Sequence, residues 1–261
     1  DYIFCIDSLN FSFWHNDPDD ECRIEGRSGY AALLHALRRD KRMWDPFHFS
    51  KLTCDDLEKL FATDSGAEFP MLKERHQILQ ENGRILQGKF GGTAENIIRA
   101  GDHDSNKIVA VLVSNFPSFR DEAYILREEE GESAESIEVA FYKRAQIFVA
   151  DCWAAMRQED FVRNIDQLTM FADYRVPQVL SSLNILIYSQ RLIHILNNEI
   201  ELRYGQREEM EIRGCSIEAV ERIAHGLNTI PVLVDFALWT MAKDRTETRK
   251  YPHHKCRCIY Y

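Results

Sequence analysis

The sequence predicts a mainly helical protein, α+β only through a minor strand component near its start. Three observations lead there. Apolar residues recur at helical spacing from about residue 31 onward. Residues 2–14 instead form a continuous aromatic and β-branched run. Gly, Pro and acidic clusters fall between these segments, where they punctuate rather than interrupt them. With 261 residues, 45% of them apolar and 28% charged, the chain can bury a sizeable core and is globular in composition.

Residues 2–14 (YIFCIDSLNFSFW) have the composition of a buried strand. The polar stretch 15–21, with Pro18, makes a turn, and residues 22–30 pair as a short second strand. Helices follow over residues 31–39, over 55–62 with Ser50 or Thr53 as cap, and over 70–87, where Gly91-Gly92 then breaks the chain. Residues 107–116 mix alternating and continuous apolar positions ahead of Pro117. Residues 128–136 (EEEGESAES) form a solvated acidic loop. Helices return at 137–156, 177–196 with Pro177 at the first helical position, 216–227 and 232–243. There is no internal repeat. The expected organisation is one unit over 1–261, divisible into lobes of about 1–135 and 136–261 with a site between them. Because the chain opens at Asp1 directly into an apolar run, a preceding segment is expected to be missing.

Thirty-two basic against forty-two acidic residues leave a net charge of −10. Such a surface repels the phosphates of long nucleic acids, so a stable nucleic-acid complex is not expected; a small anion held in a local basic pocket is compatible with it. The seven cysteines are odd in number and scattered, which suits free thiols in a reducing, cytoplasmic setting. The apolar stretches fall well short of the ~20 residues a membrane span needs. Cys256-Arg257-Cys258 has no second pair at zinc spacing, and His253-His254 has no carboxylate or Cys at ligand spacing before it. No metal and no cofactor are therefore expected.

Two stretches carry candidate chemistry. In residues 211–244 a short turn at Ile212-Arg213-Gly214 leads to a helix, then to Thr229-Ile230-Pro231 and a second apolar helix with one acid near its start, Asp235. An Asp there either complements the helix dipole alone or, set between Val234 and Phe236 and so desolvated, is a carboxyl group perturbed for function. Trp239, four residues on, shares its face as core or as pocket wall. Asp244 follows after about two and a half turns. The second stretch is Phe171-Ala172-Asp173-Tyr174-Arg175 ahead of Pro177. Its polar groups either tie off a helix end or form a base-recognition cluster, in which an aromatic face stacks a heterocycle and a carboxylate accepts from its N–H groups.

Residues 211–244 are similar to the helix-hairpin-helix DNA glycosylases, with Gly214 as the hairpin glycine and Pro231 to Asp235 as the catalytic segment. Where bifunctional members carry a lysine, this chain has Cys215 and Ser216, which favours hydrolysis over a Schiff-base step. Asp7-Ser8-Leu9-Asn10-Phe11-Ser12-Phe13-Trp14, residues 114–121 (SNFPSFRD), 141–146 (FYKRAQ), 171–178 (FADYRVPQ) and 252–261 (PHHKCRCIYY) resemble the queuosine salvage protein family over nearly the whole chain. The resemblance implies a DNA-glycosylase-like helical architecture, a further helical segment ahead of Asp1, and hydrolysis of queuosine 5'-phosphate to release queuine for tRNA. It implies Asp235 and Asp173 as the catalytic carboxylates, with their division of labour open. Phe171, Tyr174, Arg175, Trp239, Asp244, Asn10, Trp14 and Lys143 would hold the substrate, with Arg144, Lys255 and Arg257 as further candidates for its phosphate. The rival expectations are a base-excision glycosylase and a non-catalytic queuine- or nucleotide-binding protein.

Overall fold

The computed structural model describes residues 1–15, 22–127, 135–156, 160–244 and 249–261. The chain is mainly helical, as expected, but its sheet is not at the start. Residues 2–14 do not form a strand: α1 (Tyr2–Ser8) is a helix, and the chain then runs irregularly through Asn10 to His15. The β-preferring composition is overridden because Phe4, Cys5, Ile6 and Leu9 are all buried in the main core. Phe4 alone packs on Phe116, Phe119 and Phe148, and burying one such ring contributes about 2 kcal/mol, well above the difference between local propensities. Nor is there a strand over 22–30. Only a single bridge, Ile24 to Arg27, closes the Glu25-Gly26 turn before α2 (Gly29–Arg39) begins.

A short 3-10 turn leads to α3 (Pro46–Phe49) and α4 (Cys54–Leu60). Thr53 caps α4 through a reciprocal box: its hydroxyl accepts from the Asp56 N–H at 3.2 Å, and its own N–H donates to the Asp56 carboxylate at 3.1 Å. Then come α5 (Leu72–Lys89), α6 (Glu95–Ala100) and α7 (Ser105–Asn115); Asp104 caps α7 by accepting from the Lys107 N–H. The apolar run at 107–116 is thus helical. Gly91 and Gly92 both take positive φ, and so end α5.

The sheet is one antiparallel hairpin, β1 (Glu122–Arg127) with β2 (Glu135–Ala140), in register from Glu122 opposite Ala140 to Arg127 opposite Glu135. Of the predicted acidic loop, residues 128–134 lie outside the described residues, and 135–136 belong to β2. The helix predicted over 137–156 is therefore split. Ile137 and Val139 alternate with Glu138 and face Ile125 and Ala123 across the hairpin. Tyr142 then takes a positive φ, and α8 (Lys143–Met156) starts. The helix predicted over 177–196 is also two, α9 (Arg175–Ser182) and α10 (Gln190–Asn197), with Pro177 third in α9 rather than first.

The predicted hairpin at Ile212-Arg213-Gly214 is absent. All three residues lie inside α11 (Arg207–Leu227), and the chain turns only at Asn228, in the left-handed region, before α12 (Pro231–Asp244). A glycine inside a helix costs roughly 1 kcal/mol relative to alanine. Arg213 offsets that: fully buried, it pairs with Asp121 at 2.5 Å and Glu209 at 3.2 Å, and lies between the rings of Phe141 and Tyr261. The main core joins α1–α8; a smaller cluster of Met170, Val176, Leu180, Val220, Ala224, Val234 and Leu238 binds α9, α11 and α12 together. Among the described residues, no helix is long and apolar enough to cross a membrane.

Candidate active site

The irregular segment after α1 is anchored by two buried arginines. Arg75 donates to the carbonyls of Phe11 and Ser12 at 2.6 and 3.2 Å and also to that of Leu9; Arg144 donates to those of Ser8 and Ser118. Burial pulls their guanidinium groups down to about 9 and about 10 respectively. These bonds place Asn10, Phe13 and Trp14 on one wall of a cleft of about 500 Å³. A smaller hollow of about 110 Å³ adjoins this cleft, and Asn10, Tyr30, Lys143, Asp173 and Trp239 border both.

The opposite wall comes from two helices read at four-residue intervals. On α8, Lys143, Ile147 and Asp151 line the hollow; on α12, Asp235 and Trp239 line it, with Lys243 a turn further out in the cleft. The start of α8 is held by Asp121, whose Oδ2 accepts from the Lys143 N–H at 3.3 Å. Arg213, paired with the same Asp121, also donates to the carbonyl of Ala172 at 2.9 Å. One buried ion pair therefore holds both Lys143 and the segment between Phe171 and Asp173.

Asp235 is 4% exposed, and its Oδ2 accepts from the Phe171 N–H at 3.0 Å; Oδ1 has no hydrogen-bond partner among the described residues. Burial first, and the Asp173 charge second, push its carboxyl well above the usual range, against the pull of the Phe171 N–H and Lys143. Asp173 uses Oδ1 to accept from the Arg175 and Val176 N–H groups, both at 2.9 Å, so it ties off α9 while lining the cavity. The capping expectation for this residue is met, and the same side chain borders the cavity. Burial raises its carboxyl too, with Lys143 opposing. Lys143 Nζ donates to the Asn10 carbonyl at 2.9 Å. Burial lowers its ammonium to about 8, against the attraction of Asp173 above all. Two carboxyl groups raised by burial and one lysine lowered by it thus line the same hollow.

Phe171 and Phe236 pack 5.9 Å apart beside Asp235, and Tyr30 meets Trp239 edge-on at 5.7 Å, giving flat apolar walls. Tyr174, Trp14 and Arg175 line the outer cleft, where Arg27, Arg249 and Lys243 join them. Of the ten expected site residues the structure brings nine together. The side chain of Asp244 lies outside the described residues. Arg144 is corrected from phosphate candidate to buried scaffold. Lys255 and Arg257 line neither cavity: they approach Glu199 at 3.1 Å and Glu201 at 3.8 Å, with Arg257 over the Trp14 ring.

Sequence reasoning missed Asp151, Tyr30, Phe236, Arg27 and Arg249. A signal existed for Asp151, eight residues after Lys143 on one helical face, and for Phe236, beside Asp235. None existed for Arg27, Tyr30 or Arg249. Among the described residues no group of three or more His, Cys, Asp or Glu could hold a metal ion, and all seven cysteines are free.

Carboxylates, aromatic rings and cationic side chains thus line one connected cleft in a mainly helical protein. The chain belongs to the queuosine salvage protein family, whose profile matches residues 1–261. It is similar along its full length to proteins named queuosine 5'-phosphate N-glycosylase/hydrolase. The one from Mus musculus is 38% identical, with 81% of its length covered, and that from Nematostella vectensis 34% identical, again with 81% covered. The one from Sphaerobacter thermophilus is 34% identical with 80% covered.

Proposed function

We propose that this cleft hydrolyses the N-glycosidic bond of queuosine 5'-phosphate, releasing queuine for return to tRNA. The observation that carries the reading is the polarity of the cleft. A base between aromatic walls at the inner end, a sugar beside the carboxylates and a phosphate at the arginine-lined mouth follow the order of the groups in a nucleotide.

In the reaction, water adds to the anomeric carbon as the C–N bond breaks, and the departing base takes up a proton. The transition state has oxocarbenium character, which a carboxylate stabilises strongly where water is scarce. Asp235 is assigned that role, since it accepts one hydrogen bond where Asp173 accepts two, and it also orients the water. Asp173 has one oxygen committed to α9 and is assigned to the N–H edge of the 7-deazaguanine, beside Phe171. Lys143 balances the two charges. Arg175, Arg27 and Arg249 take the 5'-phosphate, with Tyr174, Trp14 and Asn10 shaping the passage. The walls come from residues on both sides of position 135, which supports the two-lobed organisation. The turn from α11 into α12, with Asp235 in the first turns of the second helix, supports a DNA-glycosylase-like arrangement, although Gly214 plays no part in it. The net charge of −10 supports a free nucleotide over a nucleic acid as substrate, and the free cysteines support a cytoplasmic setting.

The test is incubation with queuosine 5'-phosphate, queuosine and guanosine 5'-phosphate, with free base followed by chromatography. Release of queuine from the first, well ahead of the other two, is expected. No release from it would refute the reaction, and equal release from all three would refute the specificity.

A further inference from the structure

The proposed chemistry leaves two carboxyl groups unused. Asp151 lines the inner hollow and has no hydrogen-bond or ion-pair partner among the described residues. Close to it, Asp7 on α1, a helix packed against α8, is 0% exposed, and neither of its carboxylate oxygens has a hydrogen-bond partner among the described residues. Its surroundings are residues of the hollow itself: the Asp151 and Lys143 charges act on it, Asn10 stands beside it without a bond of good geometry, and its charge is felt at Tyr30. Burying such a group unpaired is unfavourable, so a group kept that way has something to answer when the cavity fills.

The charges in the hollow do not balance. Asp151, Asp173 and Asp235 line it with one cation, Lys143, which already donates to Asn10 and lies nearest in effect to Asp173; Asp7 stands outside the lining, where the Arg144 charge acts on it besides that of Lys143. A neutral base fitted between the aromatic walls would leave Asp7 and Asp151 unanswered. The base of queuosine is not neutral at physiological pH: its side arm carries a secondary amine, protonated in water, followed by a cyclopentenediol whose hydroxyls are donors. A ligand with an ammonium at one end and a phosphate at the other matches a cleft with unpaired carboxyl groups at one end and arginines at the other. The neighbouring rings of Tyr30, Phe236 and Trp239 favour a cation further.

We infer that Asp151, backed by Asp7, receives the side-arm ammonium of the base and so determines the choice of substrate, admitting 7-deazaguanine nucleotides that bear an aminomethyl arm ahead of those that lack it. This rests on the reading of the cleft as a queuosine 5'-phosphate site. The competing explanation is a structural carboxyl pair that shares a proton and takes no part in recognition.

Base release is measured for the protein and for Asp151→Asn, which keeps the shape and removes the charge, with queuosine 5'-phosphate and with the armless 7-deazaguanosine 5'-phosphate. Binding of free queuine and free 7-deazaguanine is measured by titration calorimetry. Removing the charge from a charge-assisted hydrogen bond weakens it by roughly tenfold or more. The variant is therefore expected to lower the ratio of kcat/KM for the armed over the armless substrate at least tenfold, and to erase the preference for queuine over 7-deazaguanine. Equal losses on both substrates, or none on either, would overturn the assignment, because a structural pair does not distinguish the two. If the unaltered protein releases base from neither nucleotide, the proposed reaction falls. The calorimetric preference for queuine, and its loss or survival in Asp151→Asn, still decides the amine site.

Discussion

Replacing Arg213 with methionine should destabilise the protein by about 3–5 kcal/mol, the usual cost of removing one member of a buried ion pair. The structure argues for that range rather than the near-zero cost of a surface pair. Arg213 and Asp121 are 0% and 1% exposed, their bonds are 2.5 and 3.0 Å long, and Glu209, fully buried as well, lies 3.2 Å away. Burial works against the Arg213 charge, but Asp121 more than offsets it, so the guanidinium stays charged at any working pH. Without it, two buried carboxylates face each other with no cation between them. The Ala172 carbonyl also loses its donor, at about 1 kcal/mol. Methionine replaces much of the volume between Phe141 and Tyr261, so the cavity term is small.

Urea unfolding followed by circular dichroism gives the loss, and the cycle of Arg213→Met, Asp121→Asn and the double variant isolates the pair. The double variant should be more stable than the sum of the single losses predicts, by more than 1 kcal/mol. A loss below about 1 kcal/mol for Arg213→Met, or additive losses around the cycle, would refute the claim that this pair holds α8, α11 and the 171–173 segment together.

Three further outcomes are expected. Asp235→Ala should lower kcat on queuosine 5'-phosphate by about 10²–10³, as should Asp173→Asn, which keeps the α9 cap; near-normal turnover in either variant removes that residue from the site. Arg175→Ala and Arg249→Ala should raise KM for the 5'-phosphate more than for the nucleoside, and equal effects on both would exclude them from phosphate binding. Lys143 discharges near pH 8 when folded and near 10.5 when unfolded. Between these values the unfolded chain holds the extra proton, so stability rises with pH. The advantage of Lys143→Met over the unaltered protein should therefore shrink by roughly 3 kcal/mol across that window, and a pH-independent difference would show that Lys143 does not titrate there.

Much of the site was legible because its parts are local. The spacing of Asp235 and Trp239 is one helical turn, and it survives any arrangement of the helices. The FADYR segment announces its cap and its carboxylate within five residues. The cap of α4, expected at Ser50 or Thr53 and found at Thr53, and the break at Gly91-Gly92 depend on the nearest few residues alone. Errors fell where two local signals were equally good. The run at 2–14 satisfies strand composition, but its first part folds as α1 because α8 and the Phe116 to Phe119 turn offer it an apolar face, and the rest is irregular. Ile137 to Ala140 carries the alternation of a strand yet adjoins a good helix, and only pairing with β1 divides them.

The sequence by itself determined the helical class, the free cysteines and the acidic net charge, and it singled out two carboxylates that border one cavity, because composition and short-range periodicity carry these. Only the tertiary structure decided that Gly214 sits inside a helix, since the buried partner that stabilises Arg213 there is 92 residues away. It alone brought Arg27, Tyr30 and Arg249 to the cleft, and set Asp7 close to Asp151. Each of these depends on contacts between segments far apart in the chain, where burial and charge compensation outweigh any preference a short stretch of sequence can express.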